Sequence, residues 1–347
     1  MTASPDHPPR ERFSDRWPDF RDYIVDVTRE IWDDRRVLRL RDYYAPDVVV
    51  RRPGGVSVGV EAAIRDTVAA VAQTTDRGAG AEDVIWSRDA TGHFYSSHRC
   101  CDRSVHGVDD VHGAATGRHL RYWLVADCAA RDDVIDDEWL VSDRGGLVRQ
   151  LGWDPRDFAR HLIALEGGPE RCARPLTATT DRPGPYGGRG NDDPWGLRYE
   201  ALLEGIMAGD LGAILEGYDA QCHLQYAGGR EGHGPDDANR FWAGLRASFP
   251  RARFTVHHRI GRHDALLSPR AALRWTLEGR HEGWGLFGRP TGAEVYVLGI
   301  SHAEFGPWGL RREWALLDEV AVWKQILLAD EGADPPLPAA PAEPPGP

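Results

Sequence analysis

Residues 97–117 read SHRCCDRSVHGVDDVHGAATG, and residues 272–292 read ALRWTLEGRHEGWGLFGRPTG. Laid over each other at an offset of 175, they pair Arg99 with Arg274, His106 with His281, Gly113 with Gly288 and Thr116-Gly117 with Thr291-Gly292. The same offset continues downstream, where Glu138-Trp139 meets Glu313-Trp314, Asp143 meets Asp318 and Gln150 meets Gln325. Upstream it pairs Ile31 with Ile206, Tyr43 with Tyr218, Gly54 with Gly229, Gly59 with Gly234 and Arg65 with Arg240. A period this long, needing almost no gap between Ile31 and Gln150, means that one domain is written twice.

The boundaries follow from composition. The first copy spans 19–165, after a polar N-terminal segment, 1–18, expected to be flexible. Residues 166–194 contain GGPERCARP and DRPGPYGGRGNDDP and read as a linker. The second copy spans 195–329, and the Pro-rich stretch 330–347 has too little apolar surface to offset its ordering entropy.

Within each copy the apolar period changes from helical to strand-like. Phe20, Ile24, Val27 and Ile31 have helical spacing. Arg36–Tyr44 reads as a second short helix, Val48–Val50 as a strand, and Glu61–Ala72 as a third helix. Strands follow at DVIWS, HFYSSHRCC, HLRYWLVADCAA and VIDDEWLVS, and then a short helix over Arg144–Leu151. The second copy repeats the order with helices at Tyr199–Ala208, Leu211–Tyr218 and Pro235–Ser248. Three helices followed by a meander make an α+β layer fold.

Composition narrows the partners. A formal charge of −12 argues against a nucleic-acid or anionic-membrane partner. No run approaches the roughly 18 apolar residues of a membrane span, and the N-terminal residues lack the apolar core of a signal peptide, so a cytoplasmic location is expected. The cysteines, Cys100, Cys101, Cys128, Cys172 and Cys222, are odd in number and form no CxxC pair, which points to reduced thiols. The glycine-rich stretch GLFGRPTG lies between strands with no helix after it, so it makes no phosphate loop. No metal and no organic cofactor is expected.

The second copy shows RWTLEGRHEG, GRPTG, GLRREWALLD and WKQIL; the first shows SVHG, AATG, DDVIDDEWLVSD and VRQLG. This succession resembles the SnoaL-like polyketide cyclases of the nuclear transport factor 2-like superfamily. The resemblance implies cone-shaped domains, each a curved antiparallel sheet folded round helices, with the two copies packed sheet to sheet as an internal pseudo-dimer. A further homodimer stays open. It also implies cofactor-independent acid/base chemistry beside a carbonyl (aldol cyclisation, isomerisation or elimination) on a small or medium organic molecule. A non-catalytic binding or scaffold protein of the same fold is the other reading. The cyclases keep an acidic residue one position after the Trp; here Leu140 and Ala315 stand there.

Two residues apart on a strand share a face, so Glu138 and Glu313 are the carboxylates left on the face of the missing acid. They are the candidate general bases, against the alternative of surface ion pairs with Arg121, Arg311 or Arg312. His106 and His281 are candidate proton shuttles or structural strand-end histidines. Trp275, Tyr226, Trp242 and Trp284 suggest an aromatic lining for the second pocket, completed by Ser301, with Tyr122 in the first; the second pocket is expected to be the active one. Trp139 and Trp314 should face the other domain, and Asp143 and Asp318 should cap the helices that follow them.

Overall fold

The computed structural model describes residues 12–73 and 75–329; the Pro-rich stretch 330–347 and the first eleven residues lie outside the described part. Each half forms a six-stranded sheet, with order β2-β1-β6-β5-β4-β3 and β8-β7-β12-β11-β10-β9. The first sheet comprises β1 (Tyr44–Arg52), β2 (Gly55–Val58), β3 (Thr75–Arg88), β4 (Phe94–Val105), β5 (His119–Arg131) and β6 (Val134–Ser142). The second comprises β7 (Tyr218–Tyr226), β8 (Arg230–His233), β9 (Arg253–Arg262), β10 (Arg270–Arg280), β11 (Glu294–Gly306) and β12 (Gly309–Leu317). The sheets are mixed and not wholly antiparallel as expected, because the first long strand of each copy joins the last in parallel. Between the two strands of each parallel pair lie a short strand, one helix and three meander strands, well beyond the dozen or so residues that a parallel connection needs.

The helices are α1 (Phe20–Thr28), α2 (Leu40–Tyr43), α3 (Val60–Ala72), α4 (Arg144–Gln150), α5 (Pro155–Leu165), α6 (Pro194–Ala208), α7 (Gly212–Gly217), α8 (Pro235–Ser248) and α9 (Glu319–Ala329). The expected helix Arg36–Tyr44 is a 3₁₀ turn at Val37–Arg39 followed by α2, and Tyr44 already belongs to β1. The helix α5 was not read from the sequence. Residues 13–17, expected within a flexible segment, pack on the first domain. Trp17 is buried and its indole donates to Asp26, and the Phe13 ring meets Phe20, Tyr23 and Phe94.

Alternation along the strands gives each sheet two apolar faces. The outer faces meet, burying Val125, Trp139 and Val141 against Ile300, Leu298 and Leu316. The contact is isologous in character. The Arg99 guanidinium lies 3.4 Å from the Trp314 ring centroid, and Arg274 lies 3.7 Å from that of Trp139. The two domains therefore form an internal pseudo-dimer with both tryptophans at the contact, as expected.

The segment between the domains is packed. Leu176 and Tyr186 are buried in the contact, the Tyr186 backbone N–H donates to Asp137, and Gly190 bridges Arg259 of β9. Asp143 accepts from the Gly146 N–H as an N-cap, and Asp318 accepts from Val320 and Ala321. Asp143 also accepts the backbone N–H groups of Gly228 and Gly229, in the hairpin of the other domain. All five cysteines are free and buried. Among the described residues no helix is long and apolar enough to cross a membrane.

Candidate active site in the first domain

The inner face of the first sheet presents His98 and Cys100 from β4, Leu124, Ala126 and Cys128 from β5, and Glu138, Leu140 and Ser142 from β6. Helices α1 and α3 close over this face with Ile24, Val27, Thr67 and Ala70, but they do not fill the space. A cavity of about 550 Å³ remains, within the range of small-molecule sites. Val320, Ala321 and Lys324 of α9 reach its wall from the second domain, and Lys324 is held by Glu166 at 2.6 Å. A second hollow of about 520 Å³ adjoins it, sharing Arg52, Asp66, Ser142 and Arg144.

Glu138 lines this cavity and is 8% exposed. The Tyr44 hydroxyl donates to its Oε2 at 2.9 Å. Burial raises the carboxyl's pKa, opposed by the Arg52 charge and the Tyr44 hydrogen bond. His98 is buried, and desolvation lowers its pKa to about 4, so at neutral pH its ring is uncharged. Burial pushes the Cys100 thiol up to about 12 and raises Cys128 well above its ordinary value, so neither is a thiolate nucleophile. Tyr122 lies on the cavity wall, as does His106.

Glu313, the counterpart of Glu138, is in different surroundings. Tyr199 donates to Oε1 at 2.8 Å, while Oε2 accepts from Tyr218 at 2.8 Å, Tyr226 at 2.5 Å and the Trp242 indole at 3.2 Å. Each of these donors is 4% exposed or less. Burial raises the pKa of Glu313, and all four hydrogen bonds oppose the rise. Trp275 fills the adjoining space and donates to Ser301 Oγ at 2.9 Å. Tyr226, Trp242, Trp275 and Ser301 are thus buried around a carboxylate with four donors, and none of them lines either of the two hollows of the first domain. Trp284, expected in the lining, is 71% exposed on a loop. His281 bonds Thr291 through Nδ1 at 3.2 Å, and its ring packs on Phe249 and Phe287.

Strand register explains why Tyr44 was missed. Tyr44 pairs with Ile135 and Tyr218 with Leu310, so Tyr44, not Tyr43, is the counterpart of Tyr218. The offset along this strand is therefore 174, which sets Arg52 against Tyr226. Away from it, Ile24 stands against Tyr199, Thr67 against Trp242 and Cys100 against Trp275. Reading the copies for their differences in bulk would have shown which half is hollow.

Residues 199–311 match the family description SnoaL-like domain. The second domain is a SnoaL-like domain. The first repeats its element order and sheet topology, so the chain carries the SnoaL-like fold twice. Solved structures similar to this chain include IdmH from Streptomyces antibioticus, at 23% identity over 38% of this chain and 98% of that one, with a TM-score of 0.34. A SnoaL-like polyketide cyclase from Agrobacterium tumefaciens matches at 21% identity, covering 39% and 98% with a TM-score of 0.31. TsrD from Streptomyces laurentii matches at 18%, covering 38% and 96% with a TM-score of 0.33. No curated protein matches the chain.

Proposed function

We propose that the first domain is an acid/base site that takes a proton from carbon beside a carbonyl of a largely apolar organic molecule, as in aldol cyclisation, isomerisation or elimination. The observation that carries this is Glu138: a buried carboxylate with one side-chain donor, on the wall of a cavity of about 550 Å³. Burial raises its basicity, and lining the cavity brings its oxygens within reach of a bound molecule. In the step itself, the C–H pair passes to the carbonyl oxygen as the proton passes to Glu138. The resulting enolate closes a ring, is reprotonated elsewhere, or expels a β-leaving group. Tyr44 holds the carboxylate in place, and His98 adds an uncharged polar group to the wall.

The second domain serves as scaffold in this reading. Glu313 is fully buried with four donors, and α9 of that domain completes the wall of the first cavity. A ligand-binding protein without turnover is the second reading, favoured by the apolar Leu140 in the acid position of the cyclases. Screening carbonyl substrates against the full chain and its Glu138→Gln variant separates them. Turnover lost in Glu138→Gln supports catalysis. Equal, pH-independent behaviour of both proteins supports binding alone.

A further inference from the structure

We infer that the first domain also holds a divalent transition-metal site, built from His106 Nε2, the Asp110 carboxylate and His112 Nδ1 on the wall of the same cavity. The donor atoms of these residues lie within 4.8 Å of one another, and the side chains are 2, 6 and 8% exposed. His106 Nε2 is 3.2 Å from Asp110 Oδ1, and His112 Nδ1 is 2.9 Å from Asp110 Oδ2. Two imidazoles and a carboxylate suit zinc and its first-row neighbours and disfavour magnesium or calcium, which prefer all-oxygen sets. All three residues line the cavity, so a fourth position is open to a water or a bound molecule. The inference stands apart from the reading of Glu138 and departs from the expectation of no metal.

The second domain supplies a contrast. There His281 keeps the contact from Nδ1 to a threonine hydroxyl, while its Nε2 is buried without a partner. A buried lone pair tolerates this better than a buried N–H, so the proton belongs on Nδ1, donated to Thr291. His106 makes the same contact with Thr116, at 3.0 Å. In the first domain the Thr116 backbone N–H also donates to Nδ1 at 3.3 Å, so the neutral ring turns its Nε2–H toward the carboxylate oxygen 3.2 Å away, and a metal would take the place of that proton. In the second domain Gly285 and Phe287 stand at the positions of Asp110 and His112, so the donor set is absent from the domain whose core is filled. The Thr116 hydroxyl then serves as the outer partner that fixes the tautomer of a metal-ligating histidine.

The test uses the full chain, stripped with a chelator and dialysed, with zinc and magnesium chloride as probes in calorimetry and cobalt(II) as the spectroscopic probe. Expected are one equivalent of zinc bound at micromolar or lower Kd, no comparable magnesium binding, and a visible cobalt d–d band. Asp110→Asn and His112→Phe, the latter copying Phe287, should abolish both signals while circular dichroism stays native. Thr116→Val should weaken zinc binding about 10–100-fold. Failure of the stripped protein to bind zinc overturns the inference, as does zinc binding unchanged in the folded Asp110→Asn and His112→Phe proteins. Should either variant not fold, the Thr116→Val shift decides alone: unchanged zinc affinity there overturns the inference.

Discussion

The two halves share a topology and a glutamate at the same strand position, but they use their interiors differently. Around Glu313 the chain places Tyr199, Tyr226, Trp242 and Trp275; around Glu138 the corresponding residues are Ile24, Arg52, Thr67 and Cys100. Large rings make a dry core with a hydrogen-bonded carboxylate inside, and a fully satisfied polar network of this kind rigidifies a core. Smaller side chains leave room for a ligand. The fold therefore does not decide whether the glutamate is reactive. Four substitutions in the surrounding wall set how crowded it is.

The largest effect that tests this contrast is on turnover. Glu138→Gln should lower the rate about 10²–10⁴-fold, the cost of losing a positioned general base. Glu313→Gln should leave the rate within a few-fold in steady-state kinetics. The contrast breaks if Glu313→Gln is the more damaging of the two while still folded. Thr67→Trp, which copies Trp242, should close the first cavity. Equilibrium titration with an apolar fluorescent dye should show binding lost without a fall in melting temperature; unchanged dye affinity would mean the cavity is not the binding space.

Stability should show the reverse asymmetry. In Glu313→Gln one end of the side chain becomes a donor facing donors, so unfolding in urea should reveal a loss of about 1–3 kcal/mol. Glu138→Gln, next to open space, should cost less. The pH dependence has opposite signs for the two properties. Burial raises both carboxyls above the ordinary 4.5. Their contribution to stability is full below the unfolded-state value and fades as pH rises through the folded-state one. A base, however, must be ionised, so turnover should rise with pH along a limb whose midpoint lies above 4.5. The smallest expected effect is that of Tyr44→Phe. Its hydroxyl lowers the Glu138 pKa, so removing it should move that limb to higher pH in a pH–rate profile. A limb that does not move would detach Tyr44 from the reaction.

Much of this was legible because it is periodic. The offset of 175, the helical spacing of Phe20, Ile24, Val27 and Ile31, and strand alternation at Glu138-Trp139 gave the duplication, the layer fold and the faces of the sheets. What could not be read depends on what fills the third dimension. Trp242 and Trp275 look the same in a sequence whether they line a pocket or fill it, and only packing shows that they fill it. Tyr44 was hidden by a one-residue shift of register between the copies in their first long strand. Asp110 and His112 were readable as spacing, His-x-x-x-Asp-x-His, but meant little until the loop brought them to His106.

Ser97 lies at the contact between the domains, bonding His302 Nε2 at 2.8 Å, and its hydroxyl also serves Asp127. Asp127 and His302 occupy the same position in the two copies. Two identical subunits meeting through this surface would bring together either two carboxylates, a costly buried like-charged pair, or two imidazoles that burial keeps uncharged and that have no acid to pair with. The fused chain instead sets one of each beside a shared hydroxyl. If the two halves were made as separate polypeptides, each would find its complement in the other and not in itself, so the duplication has turned a self-recognising surface into one that distinguishes left from right.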